Sequence, residues 1–137
     1  MKIRISSIFM MLLLVTSCGE SNPEAEKAGA LASQQWLAIV DRGAYRDSWK
    51  QAALMFQSKV AESDWVKMVG GVRGPLGSNV SRSLAKTSYA TSLPGAPDGE
   101  YVVSIFEASY EQKELAIETV TVVKRDGTWR VTGYFIK

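Results

Sequence analysis

The segment richest in potential chemistry is Arg73-Gly74-Pro75-Leu76-Gly77-Ser78-Asn79-Val80-Ser81-Arg82. Two glycines around a proline turn the backbone tightly and leave N–H groups free, with an arginine at either end. Guanidinium forks and convergent backbone amides both favour anions, so Arg73 and Arg82 are the candidate anion-binding residues, suited to a carboxylate or phosphate. The plainer alternative carries more weight: Gly-Pro turns the chain from helix into sheet, and the arginines pair with nearby acids.

Glu107 and Glu118 are the second constellation. In the strand register derived below they fall opposite each other on the core-facing side. Repulsion there would let one carboxyl keep its proton, as in acid/base pairs. The milder and preferred reading places both at the sheet edge, neutralised by Arg73, Arg82 or water. No catalytic residue is assigned, and an enzyme using either glutamate as base ranks last.

Absences do much of the sorting. The chain has no histidine, which removes Ser-His-Asp triads, Cys-His pairs and histidine metal sites. Its one cysteine, Cys18, precludes an intramolecular disulfide or a cysteine cage. Neither a P-loop nor a dinucleotide-binding glycine pattern is present. No cofactor or metal is expected. The four tryptophans, at helical and strand spacings, read as core rather than as a stacking site, and Lys124-Arg125 beside a turn reads as a solvated loop.

Cys18 itself points to an anchor. Met1-Lys2-Ile3-Arg4 is a basic start, and the apolar run Ile8 to Val15 is too short to span a bilayer. The run ends in Val15-Thr16-Ser17-Cys18, which resembles the lipobox of bacterial lipoprotein precursors. The expected organisation is a signal peptide over residues 1–17, a lipidated tether over 18–26 and a single α+β domain over 27–137. Acyl chains on Cys18 would hold the domain to membrane, two or three chains anchoring it stably. Gly19, rather than Asp, follows the cysteine, so the periplasmic side of the outer membrane is the default address.

Charge excludes another class. The sequence holds 16 Lys+Arg against 14 Asp+Glu, and Lys2 and Arg4 fall in the signal, leaving 14 against 14. That balance argues against nucleic acid and against polybasic attachment to lipid.

Positioning these residues requires elements. From about Pro23, Leu31, Trp36, Ile39 and Val40 lie on one helical face until Asp41-Arg42-Gly43 ends it. A second helix is expected from about Tyr45 to Val60. A third, short one, capped by Ser63 or Asp64, carries Trp65, Val66 and Met68 until Gly70-Gly71 breaks it. Strands follow over residues 79–93, 100–110, 115–125 and 128–137, with Asp126-Gly127 the two-residue hairpin signal.

Taking Glu111 to Glu114 as a four-residue loop pairs Ile105 with Val120 and Val103 with Val122. The Asp126-Gly127 turn pairs Val122 with Val131 and Glu118 with Phe135. The expected core face is then Tyr101, Val103, Ile105, Val120, Val122, Trp129, Val131 and Phe135. The opposite face is mixed, and its Phe106, Tyr134 and Ile136 are the candidate interface for an envelope protein partner or a homodimer. Two to three helices on one face of a curved four-stranded antiparallel meander make an α+β fold compatible with cystatin-like and NTF2-like architectures.

A resemblance supports this. Trp36-Leu37-Ala38-Ile39-Val40-Asp41, Tyr45-Arg46-Asp47-Ser48-Trp49, Arg73-Gly74-Pro75-Leu76-Gly77 with Arg82, Pro94-Gly95-Ala96-Pro97-Asp98-Gly99-Glu100-Tyr101, Glu118-Thr119-Val120 and Asp126-Gly127-Thr128-Trp129-Arg130-Val131-Thr132-Gly133-Tyr134 occur in that order. Together they resemble the bacterial domain-of-unknown-function family 4019, over nearly all of residues 31–137. The resemblance implies a secreted or lipid-anchored envelope protein and brings no activity with it. The leading expectation is a non-catalytic binding or interaction module. The alternative is a binder of small anionic or amphipathic ligands in the helix–sheet crevice near Arg73 and Arg82.

Overall fold

The computed structural model describes residues 21–137. The expected signal peptide and Cys18 lie outside the described residues. Helix α1 (Pro23–Asp41) begins four residues earlier than the expected domain, so residues 23–26 of the expected tether form its first turn. Asn22 caps it, its Oδ1 accepting from the Ala25 N–H at 3.1 Å, and Pro23 occupies a position where a missing N–H costs nothing. Gly43, at φ +75°, ends the segment as expected.

The buried face of α1 is Ala25, Gly29, Ala30, Ser33, Trp36, Leu37 and Val40, while Leu31, expected in the core, is 54% exposed. Gly29 sets how close α1 comes to the sheet: a Cβ there would lie 2.5 Å from Val102 Cβ.

The expected second helix is two helices, α2 (Tyr45–Gln51) and α3 (Leu54–Lys59). Ala52 and Ala53 between them are extended, and the Ala53 N–H donates to the Val131 carbonyl at 2.7 Å. Gln57 Nε2 donates to the carbonyls of Trp49 at 3.0 Å and Ala52 at 3.2 Å, so groups freed by the break keep partners. Helix α4 (Glu62–Arg73) runs on through Gly70 and Gly71, and neither Ser63 nor Asp64 caps it: the N-cap position is Ala61. A 3₁₀ turn over Gly74–Leu76 then leads to Gly77, at φ +73°, and into the sheet.

Strands β1 (Asn79–Ala90), β2 (Glu100–Tyr110), β3 (Lys113–Arg125) and β4 (Thr128–Ile136) form one antiparallel sheet in the order β1-β2-β3-β4. Over the described residues the fold is therefore α+β, four helices followed by a four-stranded meander. Asp126 (φ 51°) and Gly127 (φ 75°) make the expected two-residue turn.

The other hairpin corrects the expected register. Tyr110 pairs with Lys113 across a two-residue turn, and an irregularity follows before Ala108 pairs with Ala116. Every β2 residue beyond it changes face. Val102, Ser104 and Phe106 now point to the helices and are fully buried, whereas Val103 and Ile105 are only half-buried. In β4 an extra residue near Thr132 lets Gly133 pair with Thr121, so Ile136 rather than Phe135 pairs with Glu118. Phe135 is consequently 61% exposed instead of core.

The main core joins Trp36, Leu37, Val40, Phe56 and Trp65 to Val102, Phe106, Val120, Val122 and Val131. Burying each of the larger side chains contributes roughly 1.5–3 kcal/mol. Trp36 and Trp65 also satisfy their indole N–H groups on Ser48, at 2.9 Å to its carbonyl and 2.9 Å to its hydroxyl. The aromatic set belongs to the core, as the spacing implied.

Candidate functional site

Four charged side chains meet where the C-terminal ends of α1 and α4 lie over the sheet. Asp41 is the last residue of α1 and Arg73 the last of α4, while Arg82 comes from β1 and Glu118 from β3. Arg82 donates from Nη1 to Asp41 Oδ2 at 2.7 Å, from Nη2 to Asp41 Oδ1 at 2.9 Å, and from Nε to Glu118 Oε1 at 2.8 Å. Arg73 Nη2 donates to Asp41 Oδ1 at 2.5 Å. Glu118 is completely buried and Arg73 is 4% exposed.

Two tyrosines close the group. The Tyr134 hydroxyl donates to Glu118 Oε2 at 2.5 Å and accepts from Arg73 Nη1 at 3.4 Å. Arg82 Nη2 reaches the Tyr110 hydroxyl at 3.2 Å, and the Arg73 guanidinium lies 4.9 Å from the centre of the Tyr110 ring, a cation–π contact.

Two cations and two anions thus neutralise one another, with Arg73 and Glu118 buried and Asp41 at the rim, 25% exposed. Burial alone would raise the pKa of Asp41, but the hydrogen bonds and charges of Arg82 and Arg73 outweigh it and hold the carboxyl below its ordinary value. Burial works against both guanidinium ions too, and their partners more than restore them. Burial and then the Glu118 charge push the Tyr110 hydroxyl up to about 12 and raise Tyr134 as well. The arrangement can lock two helix ends to two strands.

The structure brings Arg73 and Arg82 together, as their flanking positions suggested, but on Asp41 and Glu118. Among the described residues, Arg73 Nε alone of the buried guanidinium donors lacks a partner. Glu107 and Glu118 do not face each other: Glu107 pairs with Ile117 and is exposed, while Glu118 pairs with Phe106 on the opposite face. The register shift is the cause.

That shift and the extra residue in β4 also move the candidate interface. Phe106 is fully buried, Tyr134 meets Trp36 edge to face with ring centres 5.4 Å apart, and Ile136 packs against the buried cluster of Ala108, Tyr110 and Ala116. All three face inward. The residues that share the outer face are Val103, Ile105, Ile117 and Phe135, with Ile105, Thr119 and Phe135 in one cross-strand row.

Sequence reading missed Asp41 and Tyr110. Asp41 carried a signal: an acid in the last turn of a helix faces the negative end of the helix dipole and needs a cation nearby. Among the described residues, no three His, Cys, Asp or Glu side chains converge to hold a metal ion, and no helix is long and apolar enough to cross a membrane.

No curated protein matches the chain. The family described as "Protein of unknown function (DUF4019)" matches residues 32–134, a span that holds all six members of the buried polar cluster. By that match, which takes in most of its length, the chain belongs to the DUF4019 family.

Proposed function

We propose that this chain is an exported protein anchored by acyl chains on Cys18, on the periplasmic side of the outer membrane, and that its domain is a non-catalytic binding module. The observation that carries the reading is the closed charge cluster. The residues most capable of chemistry, Asp41, Arg73, Arg82 and Glu118, are spent on one another. What remains for interaction is surface.

Support for the anchor is the Val15-Thr16-Ser17-Cys18 pattern after a basic and apolar start. Four residues lie between Cys18 and Pro23, where α1 begins, so the chain between an acylated Cys18 and the helix start can span at most about 18 Å. The surface offered to a partner is the outer sheet face around Phe135, Val103 and Ile105. A partner there would be another envelope protein or a second copy of the chain, and the balanced charge favours neither nucleic acid nor a polybasic lipid contact.

The test uses the full chain in its own envelope. Mass spectrometry of the N-terminal peptide is expected to find acyl mass on Cys18, and an unmodified cysteine sinks the anchor. A photo-crosslinking residue in place of Phe135 is expected to capture a defined protein or a second copy. Equal capture from a Glu107 position, which shares the face but is polar, would mean contact without a site.

A further inference from the structure

We propose that the concavity between α3 and the β3–β4 hairpin binds a medium-chain amphipathic anion, an apolar tail carrying a single carboxylate or phosphate head. The cavity is about 380 Å³, within the range of small-molecule sites. Its apolar wall is Ala53, Leu54, Met55 and Val123, and its polar rim carries Arg125 and Arg130. The inference rests on the binding-module reading and gives that module a ligand class.

Three observations favour an anion with a tail. Leu54 is 81% exposed, an isolated apolar side chain held open at the mouth of the cavity. Neither Arg125 nor Arg130 forms an ion pair among the described residues, although Arg73 and Arg82 in the interior both do. Their contacts are to backbone carbonyls only, Arg125 Nη1 to Lys124 at 3.2 Å and Arg130 Nη1 to Gln51 at 3.4 Å. Each guanidinium keeps donors for a ligand head.

Arg125 is also positioned. Its Nη1 lies where a Cβ on Gly99 would be only 2.6 Å away, so the guanidinium rests against the backbone of the β1–β2 loop. Asp126 shares the rim, which leaves the two arginines against one acid, a surplus of one positive charge. A single-charged head matches that surplus. The extended Ala52-Ala53 link that splits the expected second helix is what lays Ala53 along β4 and starts α3 beside the hairpin.

Isothermal titration of the full chain carrying Cys18→Ser, which removes any acyl chain of its own, tests this with decanoate and decyl phosphate below their micelle concentrations. Saturable one-to-one binding by either probe is expected, with decanol roughly tenfold weaker for want of a charged head. Arg125→Ala with Arg130→Ala is expected to weaken binding by roughly tenfold or more at unchanged melting temperature, since both residues are exposed. Leu54→Ser is expected to weaken decanoate and decanol alike.

Equal affinity for decanoate and decanol overturns the proposal, as does inorganic phosphate binding as tightly as decyl phosphate. Capture of the chain by anionic vesicles with no response to either monomeric probe overturns it too, in favour of surface attachment. A failed titration beside a defined crosslink at Phe135 removes this site and leaves the binding module standing. Decanoate binding beside an unmodified Cys18 keeps the site and removes the anchor.

Discussion

Arg82 grips Asp41 through two hydrogen bonds, Nη1 to Oδ2 at 2.7 Å and Nη2 to Oδ1 at 2.9 Å, and so ties the first half of the sheet's first strand to the end of the first helix. This fork uses the planar geometry of arginine, and its remaining Nε reaches Glu118. Three elements distant in sequence meet in one side chain.

Asp41→Ala leaves two buried guanidinium ions without their shared carboxylate. It is expected to cost about 3–5 kcal/mol of stability, the usual penalty for breaking a buried ion pair from one side. Urea denaturation measures it. A loss under about 1 kcal/mol would mean that the cluster behaves like an exposed pair. Arg82→Lys is expected to be nearly as damaging, because an ammonium cannot span Asp41 and Glu118 together.

Stability is expected to fall at both ends of the pH scale. The Asp41 carboxyl sits below its ordinary value in the folded chain, so its contribution is present above about pH 4 and is lost as pH falls through the folded value. Tyr110 is shifted the other way, from 10.0 to about 12. Between those limits the unfolded chain loses the phenolic proton and the folded chain keeps it, so stability declines as pH rises from 10 to 12. Melting temperatures of Tyr110→Phe across that window are expected to decline less steeply than those of the parent.

Gly29→Ala tests the close approach of α1 to β2. Helix propensity alone favours alanine by about 1 kcal/mol. The added Cβ would fall 2.5 Å from Val102 Cβ, so a net loss of about 1–3 kcal/mol is expected instead, as for overpacked cores. Val102→Ala in the same chain is expected to recover part of the loss relative to the sum of the single changes. Simple additivity in a double-mutant cycle would show that the two Val102 Cγ methyls, each 2.7 Å from the added Cβ, do not collide with it.

Ser104 is fully buried on the core face of β2 and its hydroxyl has no partner among the described residues. Ser104→Ala removes that unsatisfied group, and a gain of up to about 1 kcal/mol is expected in thermal or urea unfolding. A loss would reveal a partner for the hydroxyl in solution, such as a bound water.

The sequence by itself determined the α+β order, the first helix from Pro23 to its stop at Gly43, the Asp126-Gly127 turn and the aromatic character of the core. Each is written locally: an Asn cap with Pro behind it, a glycine at positive φ, a period of three to four that gives way to alternation. Arg73 and Arg82 were legible as a pair because a Gly-Pro turn stands between them. Asp41 was not, because nothing next to it in the chain names its partners.

Only the tertiary structure decided which face of β2 is inside. The irregularity after Tyr110 and the extra residue near Thr132 each shift pairing by one position, and alternation has no marker for such a step. Val102 and Val103 are the same residue type side by side, so composition cannot choose between them; the contact of Gly29 with Val102 does. The β2 shift sent Glu107 to solvent, and the extra residue in β4 turned Tyr134 inward to meet Glu118. The break at Ala52-Ala53 was likewise invisible, because two alanines favour a helix until the Val131 carbonyl claims the Ala53 N–H.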